Sequence, residues 1–229
     1  MIETGAKLIT VENSSNNGCL LFASEIKALL AYPGFPREID ETALYHYLTF
    51  QSCPAPQTLF KGVHKLPAGT LMIQEVGKNA RTQVYWDAIV SEKENSNENE
   101  DVCIEKIQTL LMESVDLRMM SDVPFGALLS GGIDSSIVVA MMASRMERSV
   151  DTFTVGFRGH EKSMREIPYA RKMAAHCKTN HHEELINQES YLKILSHIVY
   201  HLDEPVADPA TIPHHFASKL AYENGVKVV

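Results

Sequence analysis

Cysteine is scarce in this sequence of 229 residues, and the four that occur, Cys19, Cys53, Cys103 and Cys177, are scattered with no C-x-x-C pair. That spacing argues against a zinc site and against a disulfide framework, and leaves reduced thiols in a cytoplasmic protein as the expectation. A basic surplus is lacking too: Lys and Arg total 21 against 29 Asp and Glu, a net charge of -8. Neither a nucleic-acid footprint nor a polybasic membrane surface is therefore expected. No apolar run reaches the roughly 18 residues needed to span a bilayer. Met1 to Thr10 also lacks the basic-then-apolar pattern of a secretory signal. What is present, 45% hydrophobic and 22% charged residues, is ordinary for a globular protein of one or two modest domains.

Punctuation divides the chain. Leu20 to Ser24 is a short apolar run with strand character, and Ser24 to Leu30 reads as a capped helical turn ended by Pro33-Gly34. Asp40 is a candidate N-cap for a helix over Glu41 to Thr49. Pro54, Pro56 and Pro67-Ala68-Gly69 mark loops before the β-branched stretch Thr70 to Glu75, which predicts a strand. Ser91 to Asp101 holds no apolar residue and predicts an exposed linker, so a boundary is placed at 89–100.

Beyond the linker the pattern changes. Ile104, Ile107, Leu110, Leu111 and Val115 fall on one helical face, and Phe125 to Leu129 is a short apolar strand followed by a helix from about Asp134 to Arg145. Val150 to Phe157 predicts a second strand, and Pro168 suits the first position of a helix carrying Tyr169, Met173 and Cys177. Tyr191 to Leu202 follows helical spacing throughout, and Pro213 to Asn224 predicts a last helix before the strand-like Val226 to Val229. Strands alternating with amphipathic helices imply an α/β fold, a parallel sheet with helices on both faces.

The chemistry lies in Ser130-Gly131-Gly132-Ile133-Asp134-Ser135-Ser136, at the expected carboxyl end of a parallel strand, where open α/β sheets bind ligands. Two glycines let the backbone approach a polyanion, the helix N-terminus offers unpaired N–H groups, and three hydroxyls add donors. No Lys follows, so this is not the G-K-[ST] phosphate loop. The alternative is a Gly-Gly turn with an Asp-Ser cap.

These residues resemble the S-G-G-x-D-S loop of the pyrophosphatase-loop adenylating enzymes, which cradles the pyrophosphate of ATP. The flank Ser121-Asp122-Val123-Pro124-Phe125-Gly126-Ala127-Leu128-Leu129 is similar to that of the glutamine-hydrolysing asparagine synthetase family. Further segments carry the same resemblance: Thr152 to Phe157, Ile167 to Arg171, His181-His182-Glu183, Leu202 to Pro213, and in the first third Leu21 to Leu29, Leu66 to Gly69 and Tyr85 to Asp87. Ala210-Thr211 stands where the family more usually has Ser-Ala.

The resemblance implies an adenine nucleotide alpha hydrolase-like domain at 101–229, preceded at 1–88 by the C-terminal part of an α+β glutaminase domain. It implies ATP and Mg2+ as cofactors, with Leu129, Ser130, Gly131, Gly132, Asp134, Ser135, Ser136 and Val155 on the nucleotide, Asp134 on the metal, and Glu204 and Asp208 near the substrate. Asp203, Glu204 and Asp208 also read as turn and cap residues, and Glu25 and Lys27 as exposed helix charges. The His pair reads as surface or structural, since adjacent strand residues face opposite ways.

The family's amino-terminal cysteine nucleophile and its S-G-E-G-x-D-E loop have no match here, so both ends read as cut. The expected partners are small molecules, namely ATP, aspartate and glutamine-derived ammonia, with no nucleic acid and no membrane. A homodimer and a complementary chain both stay open. Amidation of aspartate is the implied activity. Amidation of another carboxylate and a non-catalytic partner-binding role are the alternatives.

Overall fold

The computed structural model describes residues 9–12, 20–75, 77–78, 80–89, 99–159 and 161–229. Most of the expected linker, together with Cys19, lies outside the described residues. By internal contacts the chain forms two compact units, one of residues 1–95 with 199–208 and one of residues 96–198 with 209–229.

The first unit holds a three-stranded antiparallel sheet of β1 (Ile9–Glu12), β2 (Leu20–Ala23) and β3 (Val63–Lys65), in the order β2-β1-β3. Helix α1 (Ile26–Leu30) buries Ile26 and Leu29 with Val63, and Leu21, Ala23, Leu30, Phe35 and Phe60 pack around them. Helix α2 (Glu41–Phe50) starts where the sequence predicts, because the Asp40 carboxylate accepts the Ala43 N–H at 2.9 Å. It ends at Gln51 in the left-handed region. Strands β4 (Thr70–Ile73) and β5 (Arg81–Val84) form a separate antiparallel ribbon.

In the second unit helix α3 (Glu100–Arg118) is capped by Asn99, whose side chain accepts the Asp101 N–H. Three parallel strands follow: β6 (Gly126–Leu128), β7 (Asp151–Phe157) and β8 (Asn180–Ile186), in the order β6-β7-β8. Between and after them run α4 (Ile133–Arg145), α5 (Glu161–Cys177), α6 (Gln188–Leu202), whose residues from Val199 on count with the first unit, and α7 (Thr211–Glu223). The expected terminal strand contributes one parallel bridge, Val228 beside Phe125, with the Gly126 N–H donating to the Val228 carbonyl at 2.9 Å.

Helices cover both faces, as the pleat requires. Ala127 and Leu129 point into a core with Val115 of α3, Val139 and Met142 of α4, and Ala170 and Ala174 of α5. Leu128 and Phe153 point the other way, against Leu220 and Ala221 of α7 and Val226. No helix among the described residues is long and apolar enough to cross a membrane.

Two expectations need correction. The apolar stripe of α3 is helical, but only Val115 is buried (8% exposed); Ile107 and Leu110 are 55% and 64% exposed. Periodicity identifies a face and does not say that anything covers it. Pro168 does not start α5 but sits inside it, seven residues past Glu161. Proline there removes a helical hydrogen bond. Burial of Ile167 and Ala170 on either side, at 4% and 0% exposure, offsets that cost.

Candidate nucleotide-binding loop

The β6 ladder ends at Leu128, Leu129 is fully buried in the core, and the chain emerges as the exposed Ser130. Turning from strand to helix within three residues requires a left-handed backbone, and Gly131 supplies it at φ 83°. Gly132 then caps α4 without any side-chain hydrogen bond. The first-turn amides of α4 thus have neither a helical partner nor a side-chain cap, which suits an anion at that end.

The loop's hydroxyls bond within the loop. Ser135 Oγ accepts the Ser130 N–H at 3.2 Å and lies 3.0 Å from Ser130 Oγ, which in turn accepts the Gly132 N–H at 3.2 Å. Ser135 and Ser136 both donate to the Gly132 carbonyl, at 3.3 and 2.7 Å. The arrangement holds the turn open without occupying the helix end. Asp134 is exposed in the first turn of α4. Beside the loop, Gly131, Gly132, Ile133, Ser136, Ile137 and Met173 line a shallow depression of about 270 Å3.

Helix α5 buttresses the loop from one side. A Cβ added to Gly131 would lie 2.6 Å from the Glu166 carbonyl oxygen and 2.9 Å from the Ala170 nitrogen, so the contact admits no side chain. Val155, the adenine-side candidate, is half-buried on β7. Leu129 is buried side chain and main chain alike, at 0% exposure. Arg171, next after Ala170, pairs in two hydrogen bonds with Glu183 on β8, at 2.8 and 2.7 Å. That pairing joins two segments that the sequence singled out separately. The Arg171 hydrogen bond holds the Glu183 carboxyl below its usual range.

His181 and His182 do not act together. His181 Nδ1 lies 3.0 Å from the Thr152 hydroxyl, while His182 stacks on Phe153 with ring centroids 5.1 Å apart. Both Nε2 atoms are buried without a hydrogen-bond partner. Burial pulls the His181 imidazole below its ordinary value, which favours the neutral ring. Among the described residues no group of three or more His, Cys, Asp or Glu is arranged to hold a metal. A magnesium ion fits Asp134 only in the manner usual for nucleotide sites, one carboxylate beside phosphate oxygens and water.

Glu204 and Asp208 group with the first unit, whereas the loop and Val155 belong to the second. Asp203, in the left-handed region at φ 66°, accepts the Ile26 N–H at 2.8 Å, the Lys27 N–H at 3.2 Å and the Lys27 ammonium at 2.8 Å. Glu204, 6% exposed, accepts the Leu59 N–H at 2.5 Å and pairs with Lys65 at 2.6 Å. Lys27 is thus a buttressed cation rather than an exposed helix charge, and Lys65 was not singled out from the sequence at all. Partners 145 and 177 residues apart leave no local signal. Burial raises the thiols of Cys53 and Cys177, the opposite of what an activated nucleophile needs.

The family model described as asparagine synthase matches residues 106–229, more than half of the chain, and includes the loop. The chain belongs to the asparagine synthetase family. The glutamine amidotransferase domain model matches residues 3–86. Among curated relatives, asparagine synthetase [glutamine-hydrolyzing] 1 of Bacillus subtilis is 35% identical over 205 residues, covering 90% of this chain and 31% of the relative. A putative asparagine synthetase of Mycobacterium tuberculosis is 36% identical over 211 residues, covering 90% and 32%. The amidase chyE of Penicillium rubens is 27% identical over 226 residues, covering 93% and 33%. The chain spans about a third of the length of these relatives.

Proposed function

We propose that this chain carries the ATP-pyrophosphate cradle of an enzyme that amidates aspartate to asparagine with glutamine-derived ammonia. Residues 101–229 are the first half of its synthetase domain and residues 1–88 the end of its glutaminase domain. The observation that carries this reading is the loop Ser130–Ser136, with its internally bonded hydroxyls, left-handed Gly131 and uncapped α4 N-terminus at the carboxyl edge of a parallel sheet. A polyanion is the ligand that such an edge stabilises.

In the parent reaction a side-chain carboxylate oxygen of aspartate attacks the α-phosphorus of ATP. The bond to pyrophosphate breaks, giving β-aspartyl-AMP. Ammonia then attacks the activated carbonyl, AMP leaves with the bonding electrons, and one proton is lost from nitrogen. The loop's task is to bind and orient the pyrophosphate, and the amides of α4 offset charge that accumulates on it as the bond breaks. Asp134 holds magnesium, which supplies charge neutralisation at the phosphates. The main chain of Val155 borders the adenine, with Leu129 on the other side. Glu204 holds its own segment, since its bonds run to Lys65 and Leu59, whereas the exposed Asp208 keeps the place near the substrate that the resemblance implies.

Calorimetric titration of the chain with Mg-ATP and with pyrophosphate tests the reading, beside Asp134→Ala and Gly132→Val. Valine at 132 crowds Ser130 Oγ, already 3.3 Å from the Cβ position, and covers the helix end. Binding that both substitutions abolish is expected; no binding by the folded wild-type chain sinks it. A second reading keeps the loop and changes the acceptor to another carboxylate, since not every relative that the chain matches is named an asparagine synthetase. The acceptor that drives pyrophosphate release by the full-length enzyme separates the two.

A further inference from the structure

Thr154 lies on β7, outside the loop, with its side chain buried (4% exposed) and its hydroxyl donating to the Leu129 carbonyl at 2.5 Å. Leu129 is where the chain leaves the ladder: its N–H still bonds the Phe153 carbonyl at 2.9 Å, one step past the last β6 pair. Its carbonyl belongs to the same peptide unit as the Ser130 N–H. A trans peptide is planar with these two groups pointing in opposite directions, so fixing one fixes the other. The Ser130 N–H donates to Ser135 Oγ, and that hydroxyl also lies 3.0 Å from Ser130 Oγ. One peptide plane is thus gripped at its two ends, by Thr154 beneath the loop and by Ser135 within it.

We propose that Thr154 is a positioning residue for the pyrophosphate loop: through the Leu129–Ser130 peptide it sets the orientation of the Ser135 hydroxyl. The proposal rests on the reading of the loop as a pyrophosphate site. Without the Thr154 hydroxyl the buried Leu129 carbonyl loses its partner. A buried acceptor left alone is costly, so the peptide turns to find another donor and takes the Ser130 N–H away from Ser135. The core is unaffected in volume if the replacement is isosteric.

The test is pyrophosphate titration of the chain carrying Thr154→Val, Thr154→Ala or Thr154→Ser, each with a thermal melt. Valine keeps the shape and removes the donor, alanine removes both, and serine restores the donor alone. The expected result is affinity weakened about tenfold in Thr154→Val and Thr154→Ala, and within about twofold of wild type in Thr154→Ser, despite its lost methyl. A merely structural threonine gives the opposite order, with serine and alanine both less stable and valine binding normally. Normal binding by whichever of the valine and alanine variants folds overturns the proposal alone. Absence of binding by the wild-type chain overturns the reading of the site, and this proposal with it.

Discussion

Two short polar stretches, Ser130–Ser136 and Asp203–Glu204, use their hydrogen-bonding groups in opposite ways. The loop bonds to itself, over separations of no more than five residues, and keeps its one carboxylate, Asp134, exposed. The dipeptide bonds to residues 139 to 177 positions away, and both its carboxylates are taken up by lysines and backbone amides. A carboxylate already neutralised by a half-buried ammonium is poorly placed to recruit a cation or substrate, whereas an exposed one beside free helix amides is well placed. The difference between an anchor and a site is therefore set by burial and partner distance, which residue type alone does not reveal.

The largest expected effect is on the anchor side. Lys65→Met leaves Glu204 buried with an uncompensated charge, and costs about 3–5 kcal/mol. Urea denaturation of the chain measures it. Adding Glu204→Gln, which keeps an acceptor for the Leu59 N–H, recovers part of the loss; no loss in the single variant would remove the contrast between the two stretches. The next effect falls on the loop. Gly131→Ala meets a left-handed backbone and the α5 main chain together, for a destabilisation of about 2 kcal/mol, and is expected to abolish pyrophosphate binding in the folded fraction. Retained binding would mean that the cradle tolerates a displaced turn.

How much of this the sequence discloses depends on how local each cause is. The Asp40 cap, the strand-loop-helix around Ser130 and the strand β7 are written in neighbouring residues, and the structure has them within a residue or two; α5 and α6 are present where helices are expected but begin seven and three residues earlier. Pro168 misleads because its local preference for a first turn yields to packing of Ile167 and Ala170. The α3 stripe misleads because a helical period carries no information about its cover. Lys27, Lys65 and Thr154 give no local cue: a lysine in an α1 turn, a lysine at a strand end and a β-branched residue in a buried strand are what those elements ordinarily contain.

A smaller effect concerns pH. Burial lowers the His181 pKa from its ordinary 6.5, so the folded state favours the neutral ring. The unfolded chain then binds the proton first as pH falls, and stability present above about 6.5 declines below it until the folded pKa is reached. Replacing His181 with Gln is expected to flatten this part of a stability–pH profile while leaving the loop's ligand affinity unchanged. A loss of affinity would instead extend the site toward β8.

The smallest effect belongs to the pair that connects α5 to β8. Arg171 is 62% exposed at its side chain, so solvent and salt screen its two bonds to Glu183. Glu183 has its folded pKa lowered by that hydrogen bond, so the pair contributes above the ordinary carboxylate range, and the contribution is lost as pH falls through the folded value. Arg171→Met is expected to shift melting slightly at neutral pH and low salt, and not at all at high salt or well below pH 4. If it also weakens pyrophosphate binding, then α5 transmits the pair's geometry to Gly131 through the neighbouring Ala170, and the loop depends on β8 as well as on Thr154. Titration of Arg171→Met beside wild type, at low and at high salt, decides between a loop that is independent of β8 and one that is held from it.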